Sequence, residues 1–322
     1  MDNKALFDII DEALTDDYTL PEGFSLPSKE GGLNFADGAQ DGIWIYHMPH
    51  EDPTPEQMTI MADAVWAVSI GDHDKADELF LKLSSQIQPL AYIDKLQDLI
   101  MDNRQTLSID AVVRYMMRCL TQSSEKDLVK TGLALAELIE FTKDDDLASI
   151  IRTLALSDEF TVFCIYKMKH WVGGNQELFA LAKRVHGWGR IHCVAFLEPE
   201  TDAIREWLLT EGVHNDVLSA YSALDCWEKS GAAKRLEGRL TQREFEGIRD
   251  IIEGLLDEGP CEGISGVGGI DNSVRTFLAR AKEFRLGPKD YGVINGLKEY
   301  YADKGRAGEF IARLCEDLIK EM

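Results

Sequence analysis

From about residue 116 onward, the apolar positions of this chain recur every ~31 residues, a period typical of helical repeat units, and no other feature constrains the fold as much. Laying Leu147 on Leu178 brings Phe160 onto Ile191, Val162 onto Cys193, Phe163 onto Val194, Cys164 onto Ala195 and Ile165 onto Phe196. The same step upstream sets Val129 under Phe160 and Leu133 under Cys164. Each unit reads as a helix, a tight polar turn and a second apolar helix. The turns are Ser123-Ser124-Glu125, Leu156-Ser157-Asp158 and His186-Gly187-Trp188-Gly189. A unit of this size cannot bury its apolar face alone and must stack on its neighbours. The expectation is therefore an all-α chain, an α-solenoid of antiparallel helix pairs.

The flanking segments follow from local signals. Leu6, Ile9, Ile10 and Ala13 lie at helical spacing, so a short amphipathic helix is expected over 3–14, with Asp2 or Asn3 as its cap. From Thr15 to Pro53 the chain is broken by Pro and Gly, and it should pack on the helices through Phe24, Leu33, Phe35, Trp44 and Tyr46. Within it, Gly42-Ile-Trp-Ile-Tyr-His47 reads as one short strand. Thr54-Pro-Glu-Gln is a helix start, with a capping hydroxyl and then Pro at the first helical position. A shortened repeat is expected from Ile204, with Gly212 as its C-cap and Asn215-Asp216 opening a helix to Trp227. Breakers interrupt the pattern at 229–235 and at 257–269, and helices are expected near 241–256, 273–285, 288–302 and 306–321. Three regions result: an N-terminal helix with an irregular packed segment over 1–53, the helical-repeat solenoid over 54–229, and a helical C-terminal cap over 230–322.

Charge narrows the partners. With 34 Lys+Arg against 57 Asp+Glu the net charge is −23, a field that repels phosphate backbones and anionic lipid surfaces. Neither nucleic acid nor a membrane is expected as partner. Cys119, Cys164, Cys193, Cys226, Cys261 and Cys315 are widely spaced and never form Cys-x-x-Cys, which suits reduced thiols. With no signal-peptide pattern at the N-terminus and no apolar run of membrane-spanning length, the expected location is cytoplasmic.

His186-Gly-Trp-Gly-Arg-Ile-His192 gathers two imidazoles, an indole and a guanidinium around a glycine turn. His186, Trp188, Arg190 and His192 are the candidate ligand-binding residues, because free backbone N–H groups at a helix start and a bidentate guanidinium together suit an anionic or aromatic ligand. The alternative is an inter-helix junction in which Trp188 fills a repeat interface. No metal site is expected, since neither the pair His186 and His192 nor His47-x-x-His50 has further ligands at metal spacing. Gly263-Ile-Ser-Gly-Val-Gly-Gly269 lacks the strand and the Lys-Ser/Thr of phosphate-cradling loops and reads as a linker. Trp171, Trp188, Trp207 and Trp227, with Tyr166 and Tyr221, either line an aromatic groove or are plain core. No catalytic arrangement can be assembled from these residues.

Several resemblances rest on these residues. Arg190-Ile-His-Cys-Val-Ala-Phe-Leu resembles the second helix of a HEAT repeat, so the solenoid over roughly 116–229 is of the HEAT/armadillo-like kind. Ala62, Trp66, Gly71, Ala76 and Phe80 resemble one tetratricopeptide-type hairpin with aromatics between its helices. Ser157-Asp-Glu-Phe-Thr, the 186–192 heptapeptide, Glu198-Pro-Glu-Thr and Trp207-Leu-Leu-x-Glu-Gly-Val-His-Asn together look like a group of bacterial helical-repeat proteins, some labelled limonene hydroxylase. That label implies an oxidoreductase acting on a monoterpene with a nicotinamide cofactor. The residues themselves point instead to a helical-repeat binding or scaffold module for a protein, a peptide or a small apolar ligand.

Overall fold

The computed structural model describes residues 4–28, 35–140 and 145–321, and over these it holds eighteen α-helices, one 3-10 turn and no strand. The chain is all-α. Among the described residues no helix is long and apolar enough to cross a membrane. The chain divides into two compact units, residues 1–193 and 194–322. The expected caps Asp2 and Asn3, and the packing residue Leu33, lie outside the described residues.

In the first unit, α3 (Pro55–Ile70) opens with a capping box in which Thr54 and Gln57 satisfy each other's backbone N–H, and Pro55 sits at its first position. It ends at Gly71, whose φ of 80° only glycine adopts cheaply, and α4 (His73–Ser84) turns straight back against it. α5 (Pro89–Asn103) leads to a second hairpin, α6 (Ile109–Gln122) with α7 (Lys126–Glu137). The two hairpins touch first helix to first, α3 on α6, and second to second, α4 on α7. α7 continues onto α9 (Thr161–Met168), the partner of α8 (Asp146–Ala155), and α1 (Leu6–Ala13) lies against α6 and α8. Of the positions paired by the ~31-residue step, Val129, Leu133, Phe160, Cys164, Ile191 and Cys193 are essentially inaccessible, while Leu147, Ala195 and Phe196 are half-buried.

Two expectations fail here. The segment read as a strand is the helix α2 (Ala39–His47), entered through Gly38 at φ 75°. No neighbouring strand offers Ile43-to-Tyr46 a ladder among the described residues, so the backbone satisfies its own N–H and C=O groups as a helix. The segment packs on the helices through Leu26, Ala39, Asp41 and Gly42, while Phe35 is exposed. In the α3/α4 hairpin, Phe80 and Ala76 fill the interior but Trp66 is 57% exposed and faces away from it.

The second unit is built from α12 (Asp202–Thr210), α13 (Ala220–Ser230), α14 (Ala232–Glu237), α15 (Gln242–Leu256), α16 (Ile270–Ala281), α17 (Pro288–Tyr301) and α18 (Gly305–Glu321). Asn215 does not open α13. Its side-chain oxygen accepts from the backbone N–H of Val217 and Leu218, and this local turn delays the helix to Ala220. The breakers at 231 allow α14 rather than a gap: Gly231 at φ 70° ends α13 and begins α14. The glycine-rich segment after α15 is packed rather than a free linker, with Ile264 fully buried in the 3-10 turn Ile264–Gly266. The core of the unit centres on Phe245, whose ring stacks at 4.9 Å on Phe277 and at 4.6 Å on Phe284.

Candidate functional site

α11 (Trp188–Phe196) begins in the middle of the glycine heptapeptide, and helical geometry sets Trp188 and His192 on one face and Arg190 on the other, while His186 precedes the helix. Residues four apart share a face, while a shift of two residues turns by about 200° to the opposite side. His186 is exposed and Arg190 half-buried, with a guanidinium nitrogen 3.5 Å from His186 Nδ1 and Nε donating to the Val185 carbonyl at 2.9 Å. Trp188 and His192 are buried, and their rings stack at 6.1 Å. The structure therefore brings the candidates together as an outer pair and an inner pair.

The helix start also has its own anion. The Gly189 N–H donates to Asp158 Oδ1 at 3.1 Å, and a Cβ on either Gly187 or Gly189 would overlap that carboxylate. These glycines are required because Asp158 closes on the exposed N–H groups, the place an external anion would take.

The inner pair lies against α2. A Cβ on Gly42 would overlap the Trp188 indole, and one on Gly38 would meet the Asp158 carbonyl and Trp188 Cβ. Gly38 at the N-cap and Gly42 within α2 thus let this backbone rest on the indole, and Tyr46 of the same helix sits 6.1 Å from that ring.

Between these glycines, α2 carries Asp41 into a buried ionic cluster that sequence reasoning missed. Lys130 Nζ on α7 lies 2.6 Å from Asp41 Oδ2 and 2.6 Å from Glu159 Oε1, and all three side chains are buried. The Gly38 N–H donates to Glu159 Oε2 at 3.1 Å. One helical turn before Lys130, Lys126 reaches Asp37 at 2.7 Å and Glu159 at 3.4 Å, and Asp37 accepts from the Leu26 N–H. The loop 157–159 therefore serves both halves: Asp158 caps α11 and Glu159 joins the cluster. The sequence held one signal, a lysine inside the apolar run Leu128-Val-Lys-Thr-Gly-Leu-Ala-Leu-Ala136, where a buried ammonium demands buried carboxylates.

The two carboxylates beside Lys130 titrate differently for a visible reason. Burial pushes both up, but Glu159 has two ammonium groups and a backbone N–H and is held below its usual value. Asp41 has Lys130 alone, its Oδ1 has no hydrogen-bond partner among the described residues, and burial wins, raising it to about 6. Burial would lower the Lys130 ammonium, yet Asp41 and Glu159 more than offset this and hold it above its usual value. His192 has only burial acting on it, which takes its pKa down to about 4, and its Nε2 is likewise without a partner among the described residues. The imidazole is neutral at pH 7.

Of the other candidate aromatics, Trp171 and Trp227 are buried with Trp188, so the plain-core reading holds for three of the four tryptophans. His50 stacks on Trp44 at 4.2 Å. Among the described residues no group of three or more His, Cys, Asp or Glu is arranged to hold a metal ion.

The surface bears a different feature. α3 buries most of its surface and leaves one stripe in water, in which Glu56, Thr59 and Asp63 are followed by two apolar residues. Its inner faces hold Ile60, Met61, Ala64, Val65 and Val68, but Trp66 and Ile70, four residues apart on its outer face, are 57% and 62% exposed. The Ser108 N–H donates to Ser69 Oγ at 2.8 Å and docks the start of α6 beside them, adding the exposed Ile109. Asp63 lies one turn before Trp66 and Asp110 follows Ile109, with Arg114 a turn further along α6, all exposed.

Comparison with protein-family models, with curated proteins and with solved structures finds no match to this chain.

Proposed function

We propose that this chain is a helical-repeat binding module whose α3 face docks a helix of a partner protein. The observation that carries the reading is the outer stripe of α3: an indole and an isoleucine held in water by a helix whose other faces are all core. Exposed aromatic anchors of this kind are what interfaces are built around. A partner helix with an apolar stripe flanked by Lys or Arg suits Asp63 and Asp110 at the margins. The register of the hairpins, α3 on α6 and α4 on α7, supports a stacked, solenoid-like array that holds this face rigid. The buried Lys130 cluster and the Trp188 junction then serve the scaffold, pinning α2 and the 157–159 loop onto α7 and α11.

The test is affinity capture from the native cell extract with the wild-type chain and with the double variant Trp66→Ser/Ile70→Ser. The wild type should retain a partner that the variant loses while circular dichroism and melting stay the same. An identical set of retained proteins would remove α3 as the docking face. NADPH consumption on addition of a monoterpene, abolished by substitutions at the Trp188 junction, would favour the oxidoreductase instead.

A further inference from the structure

The second unit carries a groove where the C-terminal ends of α16 and α18 meet the start of α17. One half, about 670 Å³, is walled by Phe284, Leu286, Tyr291, Leu318 and Ile319. The other, about 450 Å³, shares Leu286, Gly287 and Pro288 with the first and is walled by Gln242, Glu246, Arg249, Arg285 and Lys289. A half in which aromatic and aliphatic side chains adjoin the Lys282–Glu321 ion pair therefore runs into a charged half across the 286–288 turn. Volumes of this order are those of small-molecule sites.

The charges around the groove decide what it suits. Every carboxylate facing it is engaged: Asp290 accepts from the Gly287 N–H at 2.8 Å and from Arg249 at 3.2 Å, Glu246 accepts from Gln242 at 2.8 Å, and Glu321 pairs with Lys282 at 2.8 Å. Lys289 is taken by Asp250 at 2.9 Å and Glu253 at 3.8 Å. Arg285 differs. It is exposed, lines the charged half next in sequence to the shared 286–288 turn, and makes no ion pair among the described residues. In a chain of net charge −23, a guanidinium outside any ion pair, next to a wall of Phe284, Leu286 and Tyr291 on which Tyr291 is 48% exposed, is an arrangement complementary to an amphiphilic anion.

We propose that this groove binds a single-chain carboxylate, its apolar body along Phe284, Tyr291 and Leu318 and its head on the Arg285 guanidinium. The proposal does not rest on the α3 docking face.

Isothermal titration of the full chain with decanoate, below its micellar concentration, tests this. The expected result is one-to-one binding with a dissociation constant below about 1 mM, weakened by added salt. Arg285→Glu should reduce affinity at least about tenfold with an unchanged melting temperature, since the side chain is exposed, and Arg285→Lys should retain part of it. Tyr291→Asp should weaken binding through the aromatic and aliphatic wall. The proposal is overturned if decyltrimethylammonium binds as well as decanoate, if Arg285→Glu binds like wild type, or if no one-to-one heat is seen up to millimolar decanoate.

Discussion

At the scale of single residues, His192 and Asp41 are buried titratable groups, and they pull stability in opposite directions over the same pH range. His192 is held down to about 4 from an ordinary 6.5, so the unfolded chain takes the proton first. Its stabilising effect is complete above pH 6.5 and is lost as pH falls toward 4, at a cost of roughly 2 kcal/mol by pH 5. Asp41 is raised to about 6 from 3.8, so here the folded chain takes the proton first and stability is gained as pH falls between those values. His192→Leu removes one side of this balance. Urea midpoints at pH 7 and pH 5 should show the variant gaining on the wild type by roughly 2 kcal/mol as the pH is lowered, and an unchanged difference would mean that the imidazole is not held neutral. Lys130 gives a second prediction. Lys130→Met leaves Asp41 and Glu159 buried without their shared cation and should cost ~3–5 kcal/mol in equilibrium unfolding, whereas a loss under 1 kcal/mol would show that the carboxylates reach water.

At the scale of helices, α2 depends on two close approaches that its glycines permit. Gly42→Ala places a methyl inside the Trp188 indole, so the helix must lift off the junction. Trp188→Ala removes the indole itself and should cost ~3–5 kcal/mol. In the double variant the new methyl meets the space the indole vacated. The two losses should therefore be less than additive, and a double-mutant cycle with additive losses would refute the contact. α2 is also where sequence patterning misled. Ile43, Trp44, Ile45 and Tyr46 are good strand residues, and only the lack of a pairing partner and the left-handed Gly38 turn them into a helix. The start of α3 is legible in the sequence because its signals, Thr54 and Pro55, are local. Its exposed stripe was not foreseen: Trp66 and Phe80 look alike along the chain, and only the hairpin assigns one to core and the other to solvent.

At the scale of the whole chain, the thiols report on packing across both units. Cys119, Cys164, Cys193, Cys226 and Cys315 are buried and free, while Cys261 is partly accessible, its Sγ directed at the Ala220 carbonyl at 3.1 Å. Burial raises each of these thiols above its usual pKa, which slows reaction further. Titration with a thiol-specific disulfide reagent at pH 8 should label one cysteine slowly in the native chain and six after denaturation. Rapid native labelling of two or more would show that a unit opens.

Helical class, most helix positions and the core at Val129, Phe160, Cys164 and Ile191 follow from the order of residues, because caps, breakers and a ~31-residue step act over short distances. The heptapeptide at 186–192 is recognisable by composition, but the phase of α11 is what buries Trp188 and His192 together and turns Arg190 outward to meet His186. What lies around it was decided in three dimensions alone. Asp37 and Asp41 lie 89 residues from Lys126 and Lys130, and Asp158 lies 31 from Gly189. No local preference records such partners. A buried charge states that it needs a counter-charge, and only the packing of α2, α7 and the 157–159 loop says which one it has.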